Sequence, residues 1–415
     1  MYHRIALWHY SINAASIFMN HSPEPFDLQG LQRRFSDAFG ATIGSETIAF
    51  HAPGRVNLIG EHTDYTGGMV FPCAIDRGNL LLIRRTGNNQ YRFASTNFDL
   101  VAELSSNELG KAPDDSWINY PLGVIDQFRH RGIELDGFDC LYSGNVPNGA
   151  GLSSSAAIEV VTAYAINEIY RVGLEKMELA TLSQAAENDF VGMQCGIMDQ
   201  FAVTMGKANH AMMLNCNSLD YRQVPLELGE NAIVLANTNQ RRELNDSAYN
   251  DRVSECARAL NYVQHSIDVK ALGALTVTDL SSAKPHFNED HIAFKRARHV
   301  TTENARVLAA VNALENHDFI KFGQLMQKSH ASLRDDFEVS SKALDTLVSL
   351  ALEHDGVLGA RLTGAGFGGC TVNLMHQSSV EPFQKRVGEA YQKATGLTAD
   401  FYSIKPSNGV QEFQS

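Results

Sequence analysis

The stretch from Ser143 to Ala157, SGNVPNGAGLSSSAA, constrains this chain more than any other. Ahead of it, Phe138, Asp139, Cys140, Leu141 and Tyr142 alternate apolar and polar residues, the pattern of a half-buried strand. Behind it, Ile158, Val161, Ala165 and Ile169 recur at helical spacing. The order is strand, glycine-opened turn, helix. Gly149 and Gly151 allow torsions closed to other residues and let a ligand approach bare amides. Ser153, Ser154 and Ser155 fall where the helix begins, with its unpaired N–H groups and positive dipole end facing outward. One serine would serve as a cap. Three hydroxyls behind Gly-Ala-Gly point instead to an anion cradle, with phosphate as the usual guest. No Gly-Lys-Ser/Thr closes the loop, so it is not a Walker A motif. The phosphate charge must then be met by Mg2+ or by cations from elsewhere in the chain.

A chain of 415 residues exceeds what one core usually organises, so two domains are expected. The composition turns polar between Asn215 and Gln223, which places the boundary there. The expected division is a poorly ordered N-terminal extension (1–25), a first domain (26–218) and a second (219–415), in an α/β (α+β) architecture. A net charge of −13 argues against nucleic acid as a partner and against an anionic membrane surface. Residues 5–18 are fairly apolar, but His9, Tyr10 and Asn13 interrupt them and no clean cleavage site follows, against a signal peptide. The six cysteines are scattered without a C-x-x-C pair, which suits a reducing cytoplasm rather than zinc or a disulfide framework. Nothing in the sequence asks for an obligate protein partner.

A second informative stretch runs from Pro53 to Gly68 and holds Arg55, Glu61, His62, Asp64 and Tyr65 between glycines. Loops carry chemistry when a rigid scaffold positions them. Carboxylates there suit the vicinal hydroxyls of a polyol or sugar, against the plainer reading of a solvated polar loop. No Ser or Cys nucleophile motif surrounds His62, which reads as a structural hydrogen-bonder. Strands are expected at Thr47–Ala52 and, continuing the same sheet, at Met69–Ile75 and Leu80–Arg84. Trp117 and Tyr120 read as core or cleft wall. Met177–Phe190 is helical by spacing and carries Glu187. Asp199, flanked by Ile197, Met198 and Phe201, either caps a helix or is held for function. Ser247–Val263 reads as a helix with Tyr249 near its start, and Lys295, Arg296, Arg298 and His299 as a solvated basic face.

The third stretch, Gly359 to Leu374, places Gly364, Gly366 and Gly369 at the dinucleotide spacing G-x-G-x-x-G. A nicotinamide dehydrogenase rests on this match alone. The fingerprint must open a helix, whereas Cys370 to Leu374 alternates like a strand. It reads better as a glycine-rich turn between strands, packed closely against another loop.

Together, Gly54–Tyr65, Gly149–Ala157 and Leu362–Cys370 resemble the three motifs of the GHMP kinase superfamily, in its order and across about residues 26–408. The first is similar to the signature of the branch that phosphorylates galactose; a usual Asn before the double glycine is Thr66 here. The resemblance implies a two-domain GHMP kinase-like fold with the active site in the cleft between domains. It implies ATP-dependent phosphorylation of the C1 hydroxyl of D-galactose. Gly149, Ala150, Gly151, Leu152, Ser153, Ser154 and Ser155 would hold the ATP phosphates, with Ser95 near the nucleotide. Ser155 and Glu187 would hold Mg2+. Glu61, His62, Thr63, Asp64, Asp199 and Tyr249 would bind the sugar. Asp199 would accept the C1 proton and chiefly orient that hydroxyl, while Arg55 offsets charge on the transferred group. The rivals are a sister kinase for N-acetylgalactosamine or a non-sugar alcohol, and a non-catalytic galactose sensor. The unbroken Ser153–Ala157 run, with Asp199 and Arg55 retained, speaks against the sensor.

Overall fold

The computed structural model describes residues 26–40, 46–98, 101–105, 109–112, 116–147, 151–240 and 245–414. The N-terminal extension, and Gly149 and Ala150 of the phosphate loop, lie outside the described residues. The first elements are α1 (Leu28–Phe39), β1 (Ile48–Asn57), β2 (Met69–Val70), β3 (Pro72–Arg85), β4 (Gln90–Ser95), β5 (Val101–Ser105), α2 (Asn119–His130) and β6 (Phe138–Gly144). There follow α3 (Ser154–Tyr170), α4 (Lys176–Ala185), α5 (Met198–Met205), β7 (His210–Asn215), β8 (Tyr221–Pro225) and β9 (Asn231–Asn237). A run of helices comes next: α6 (Asn245–Val263), α7 (Val277–Ala283), α8 (His291–Glu315), α9 (Phe319–Asp335) and α10 (Lys342–Leu352). The chain closes with β10 (Val357–Thr363), β11 (Cys370–His376), α11 (Val380–Thr395), β12 (Asp400–Ile404) and β13 (Gln411–Glu412).

The strands form a six-stranded sheet in the order β13-β1-β3-β6-β4-β5, a four-stranded sheet β10-β11-β9-β12 and a three-stranded sheet β2-β7-β8. Helix α1 buries Leu31, Phe35 and Phe39 on one face of the large sheet, against Leu80, Leu82 and Leu141. On the other face, α2 and α3 pack over Phe93, Phe138 and Cys140. Covered on both faces, β6 is buried from Phe138 to Tyr142, which corrects the half-buried reading. Its one carboxylate, Asp139, is buried only because Arg84 and Arg92 both pair with it.

A second apolar cluster joins Val56, Ile59 and Phe71 to Ile233, Val307 and Leu374, so the two halves of the chain share a core beside the first motif. The stretch from Asn215 to Gln223 forms the turn and part of the second strand of the β7–β8 hairpin. We retain a division near residue 218 as a proposal; β13 returns from the far half to pair with β1. No described helix is long and apolar enough to cross a membrane.

Three local expectations need correction. Met69 and Val70 leave the large sheet and pair with β7, while β3 runs unbroken through the polar run Asp76–Asn79 alongside β1. Helix α4 ends at Ala185, and Glu187 sits in a π-helical stretch, Ala186–Val191, a local widening that recurs at functional sites. The basic cluster on α8 is a solvated face only in part: Arg298 is exposed and Lys295 half-buried, but the other two side chains are not. Arg296 and His299 are buried: Arg296 donates to Glu255 (2.6 Å), Glu338 (2.8 Å) and the Asp336 carbonyl (2.6 Å), and His299 lies 3.0 Å from the Glu61 carbonyl. Helix α8 is wedged between α6 and α9, so its cations meet acids supplied by distant segments.

Candidate active site

The end of β1 delivers the first motif to the start of α3. A Cβ on Gly54 would stand 2.7 Å from the Leu152 carbonyl, so only glycine lets the two motifs touch. The next residue, Arg55, donates its backbone N–H to that same carbonyl at 3.2 Å. Its Nε and Nη2 donate to the two oxygens of Asp199 at 2.7 and 2.6 Å, and its Nη1 donates to the Gly151 carbonyl at 2.7 Å. This is the two-pronged geometry that a planar guanidinium offers a carboxylate. Asp199 lies in the first turn of α5 but caps nothing; besides Arg55 it accepts from the Ser153 hydroxyl.

Arg55 and Asp199 line a cleft of about 830 Å³ together with Glu61, His62, Asp64 and Tyr249 from the sugar-loop side. Gly151, Leu152, Ser153, Ser154, Ser155 and Glu187 line its other end. Ten of the sequence-derived candidates plus Arg55 and Glu187 thus meet in one place. Two do not. Thr63 is fully buried, its hydroxyl within 2.9 Å of the Gly60 carbonyl and 2.7 Å of that of Met69, so it shapes the loop from behind. Ser95, on β4, is outside the lining, and its hydroxyl accepts the Asn97 amide at 3.1 Å.

Two cleft residues have roles set by neighbours far along the chain. The Glu61 carboxylate accepts from the Thr363 hydroxyl (2.9 Å), the Gly364 amide (2.7 Å) and the Asn57 side chain (2.9 Å), and it pairs with Arg361 at 3.2 Å. It fastens the glycine-rich turn of the third motif to the first, the close loop contact expected of that turn. His62 sits at φ +58°, with Nδ1 2.9 Å from the Tyr65 hydroxyl and Nε2 3.1 Å from the Ala365 carbonyl. The carbonyl can only accept, so Nε2 carries the proton. Burial pushes the imidazole down to about 3, and the ring is neutral at physiological pH.

Asp64 is pushed up to about 7 by burial first and by the charge of Asp199 second. The Gly196 backbone presses on it: a Cβ there would lie 2.2 Å from the carboxylate. Glu187 is also pushed up to about 7, by burial and then by Asp199, although Gln200 donates to it at 2.6 Å. Gln200 also donates to Glu159 (3.0 Å), whose second carboxyl oxygen has no hydrogen-bond partner among the described residues. Ser155 and Glu187 present hard oxygen donors to one cleft, the chemistry Mg2+ prefers. Among the described residues no three His, Cys, Asp or Glu side chains form a cage. A hydroxyl and a carboxylate are a sufficient protein share for an ion whose other ligands are phosphate oxygens and water.

A carboxyl whose folded pKa is raised favours the fold while protonated. That contribution is present below its unfolded pKa and lost as pH rises through the folded one. For Asp64 and Glu187 the window runs from an ordinary 3.8 or 4.5 up to about 7. Buried His51, His62 and His299, pushed down to between about 3 and 4, give the opposite slope up to their ordinary 6.5, so the thermal midpoint of the ligand-free protein should fall from about pH 6.5 to about pH 8. Asp64→Asn should raise the midpoint at the alkaline end and flatten that slope, while weakening sugar binding. A variant with an unchanged slope would show that Asp64 is not the strained group.

Sequence reasoning caught only part of the far wall of the cleft. Phe98, 47% exposed, lies nearly parallel to Trp117 with ring centroids 6.3 Å apart, and Tyr120 and Ile158 complete the surface. Trp117 and Tyr120 had the periodicity of a helix face, and cleft wall is what they are. Phe98 stands alone in a polar turn and carried no signal.

A serine-rich helix start hydrogen-bonded directly to an Arg–Asp pair in one cleft defines a small-molecule phosphotransferase of the GHMP kinase class. The models of the GHMP kinases N terminal domain and of the GHMP kinases C terminal region match residues 119–207 and 310–393, and the galactokinase galactose-binding signature matches residues 33–85. Over 387 residues the chain is 45% identical to a galactokinase of Fusobacterium nucleatum, covering 92% of this chain and 99% of that one. It is 43% identical to a Bacillus subtilis galactokinase, covering 94% and 99%. The Lactococcus lactis galactokinase complexed with galactose superposes with a TM-score of 0.90 at 40% identity, over 93% of this chain and all of that one. A mevalonate kinase of Methanococcus jannaschii, at 22% identity and a TM-score of 0.60 over 88% of this chain and all of that one, shares the fold. The chain belongs to the galactokinase family.

Proposed function

We propose that this chain transfers the γ-phosphoryl group of ATP to the C1 hydroxyl of D-galactose, giving galactose 1-phosphate and ADP. The observation that carries the reading is the Arg55–Asp199 pair, anchored through the Gly151 carbonyl to the loop that opens α3. The C1 oxygen forms the new bond to phosphorus as the bond from the γ-phosphorus to the β–γ bridging oxygen breaks, and the hydroxyl proton passes to Asp199. A loose transition state asks little basicity, so Asp199 mainly aims the hydroxyl, while Arg55 offsets charge at the transferred group.

Amides and hydroxyls from Gly151 to Ser155 hold the phosphates at the positive end of α3. Phe98 and Trp117 offer the apolar surface against which the adenine ring would lie. Ser155 and Glu187 would hold Mg2+, which when bound supplies neutralising charge between the phosphates. Asp64, Asp199 and Tyr249 would take the sugar hydroxyls, with His62 and Glu61 holding the loop that carries Asp64. Galactose as the sugar is supported by the signature over residues 33–85 and by the galactose-bound relative from Lactococcus lactis. A cytoplasmic setting follows from ATP as co-substrate.

A coupled ADP-release assay with galactose, N-acetylgalactosamine and mevalonate tests the assignment. Galactose should support turnover well above the other two. ADP release that ignores galactose, or that prefers the 2-acetamido sugar, would overturn it.

A further inference from the structure

Ser153 sits where α3 starts, at φ +59° and ψ +49°, a left-handed conformation that side-chain-bearing residues avoid. Strain of this kind persists only where the surroundings hold it, and it gathers at working sites. A serine at a helix start ordinarily accepts from the amides of the first turn. Ser153 makes no such bond. Its hydroxyl points away from the helix and donates to Asp199 Oδ2, and the residue is 7% exposed. Glycine would remove the strain, but glycine has no hydroxyl to give.

Arg55 already holds both Asp199 oxygens through Nε and Nη2. A two-pronged pair fixes the plane of the carboxylate, yet the two side chains can still swing together. A third donor from a different segment removes that freedom. The same loop accepts Arg55 Nη1 at the Gly151 carbonyl, so residues 151 and 153 grip both members of the pair. Oδ2 then carries two donors and Oδ1 one, which leaves Oδ1 the freer oxygen to receive a proton.

We infer that Ser153 is a positioning residue for phosphoryl transfer, whose hydroxyl aims the Asp199 carboxylate at the incoming sugar hydroxyl. This rests on the galactokinase reading above and adds a role to a residue that the motif alone assigns to the phosphates. A group that only binds ATP changes KM, whereas one that aims the acceptor of the proton changes kcat.

The test is Ser153→Gly in the full-length protein. Its thermal midpoint should equal or exceed that of the parent, because the strain is gone. The kcat should fall about 10- to 100-fold, with KM for galactose and for ATP each within about threefold of the parent. In an Asp199→Asn background, followed with radiolabelled ATP so that slow turnover is still counted, Ser153→Gly should bring no further loss. A preserved kcat, a rise confined to the ATP KM, or a full second loss in the Asp199→Asn background would each overturn the assignment. Failure of the parent itself to phosphorylate galactose would instead sink the underlying reading, and the parent control shows which has failed.

Discussion

Replacing Asp199 with alanine should lower kcat by about a thousandfold or more while galactose binding persists. A positioned acid–base group contributes on the order of 10²- to 10⁴-fold, and orientation of the attacking oxygen adds to it. A loose transition state reduces the demand for basicity, so most of the loss should come from a hydroxyl that is no longer aimed. The fold should survive, because two effects oppose one another. Arg55, 5% exposed, loses its partner, which is destabilising. Asp64 and Glu187, however, are each pushed up in part by the charge of Asp199, and its removal relieves both. Equilibrium galactose binding should weaken only modestly, since Asp64 and Tyr249 remain on the cleft wall. Measuring kcat and galactose affinity side by side decides the matter. Undiminished turnover would remove Asp199 from the mechanism, and loss of binding alone would make it a sugar ligand with no part in the chemistry.

What could be read from the sequence was whatever depends on near neighbours. Helix α3 was legible because the serines at its start and the apolar spacing of Ile158, Val161, Ala165 and Ile169 are local signals. The turn between β10 and β11 was legible because alternation at Cys370–Leu374 excludes the helix that a dinucleotide site needs. Features decided at long range were not. Arg296 looked like a solvated cation because Glu255 and Glu338, its partners, lie some forty residues away on either side. The left-handed backbone at Ser153 and the widened turn carrying Glu187 leave no compositional trace. The candidate residues were found by type and by resemblance, but how each is used depends on which oxygen faces which donor. Glu61 shows this most sharply: it has the composition of a sugar ligand and the contacts of a clasp.

Glu61→Gln should therefore destabilise the protein by about 3–5 kcal/mol, the usual cost of breaking a buried ion pair by removing one charge. Arg361 is fully buried, and Glu61 is the carboxylate 3.2 Å from its Nη2, an ion pair; its Nη1 donates a hydrogen bond to the neutral Asn57 carbonyl. An amide cannot satisfy both ends of the site. With its NH2 toward the third motif it faces the Gly364 amide, another donor. With its NH2 toward β1 it faces the Asn57 Nδ2 group, also a donor. Either way one buried donor is stranded, and the clasp between Gly364 and the first motif loosens. The Ala365 carbonyl that holds the His62 ring is the next residue along, so the sugar loop should lose definition and the galactose KM should rise with the loss of stability. The sign is opposite to that expected for Asp64→Asn, although both substitutions neutralise a carboxylate of one loop. Asp64 is a charge that the fold disfavours, and Glu61 is one that the fold is built around. Urea unfolding of both variants at about pH 8, beside their galactose KM values, separates the two. A Glu61→Gln protein of unchanged stability with only a raised KM would return Glu61 to the role of a simple sugar ligand.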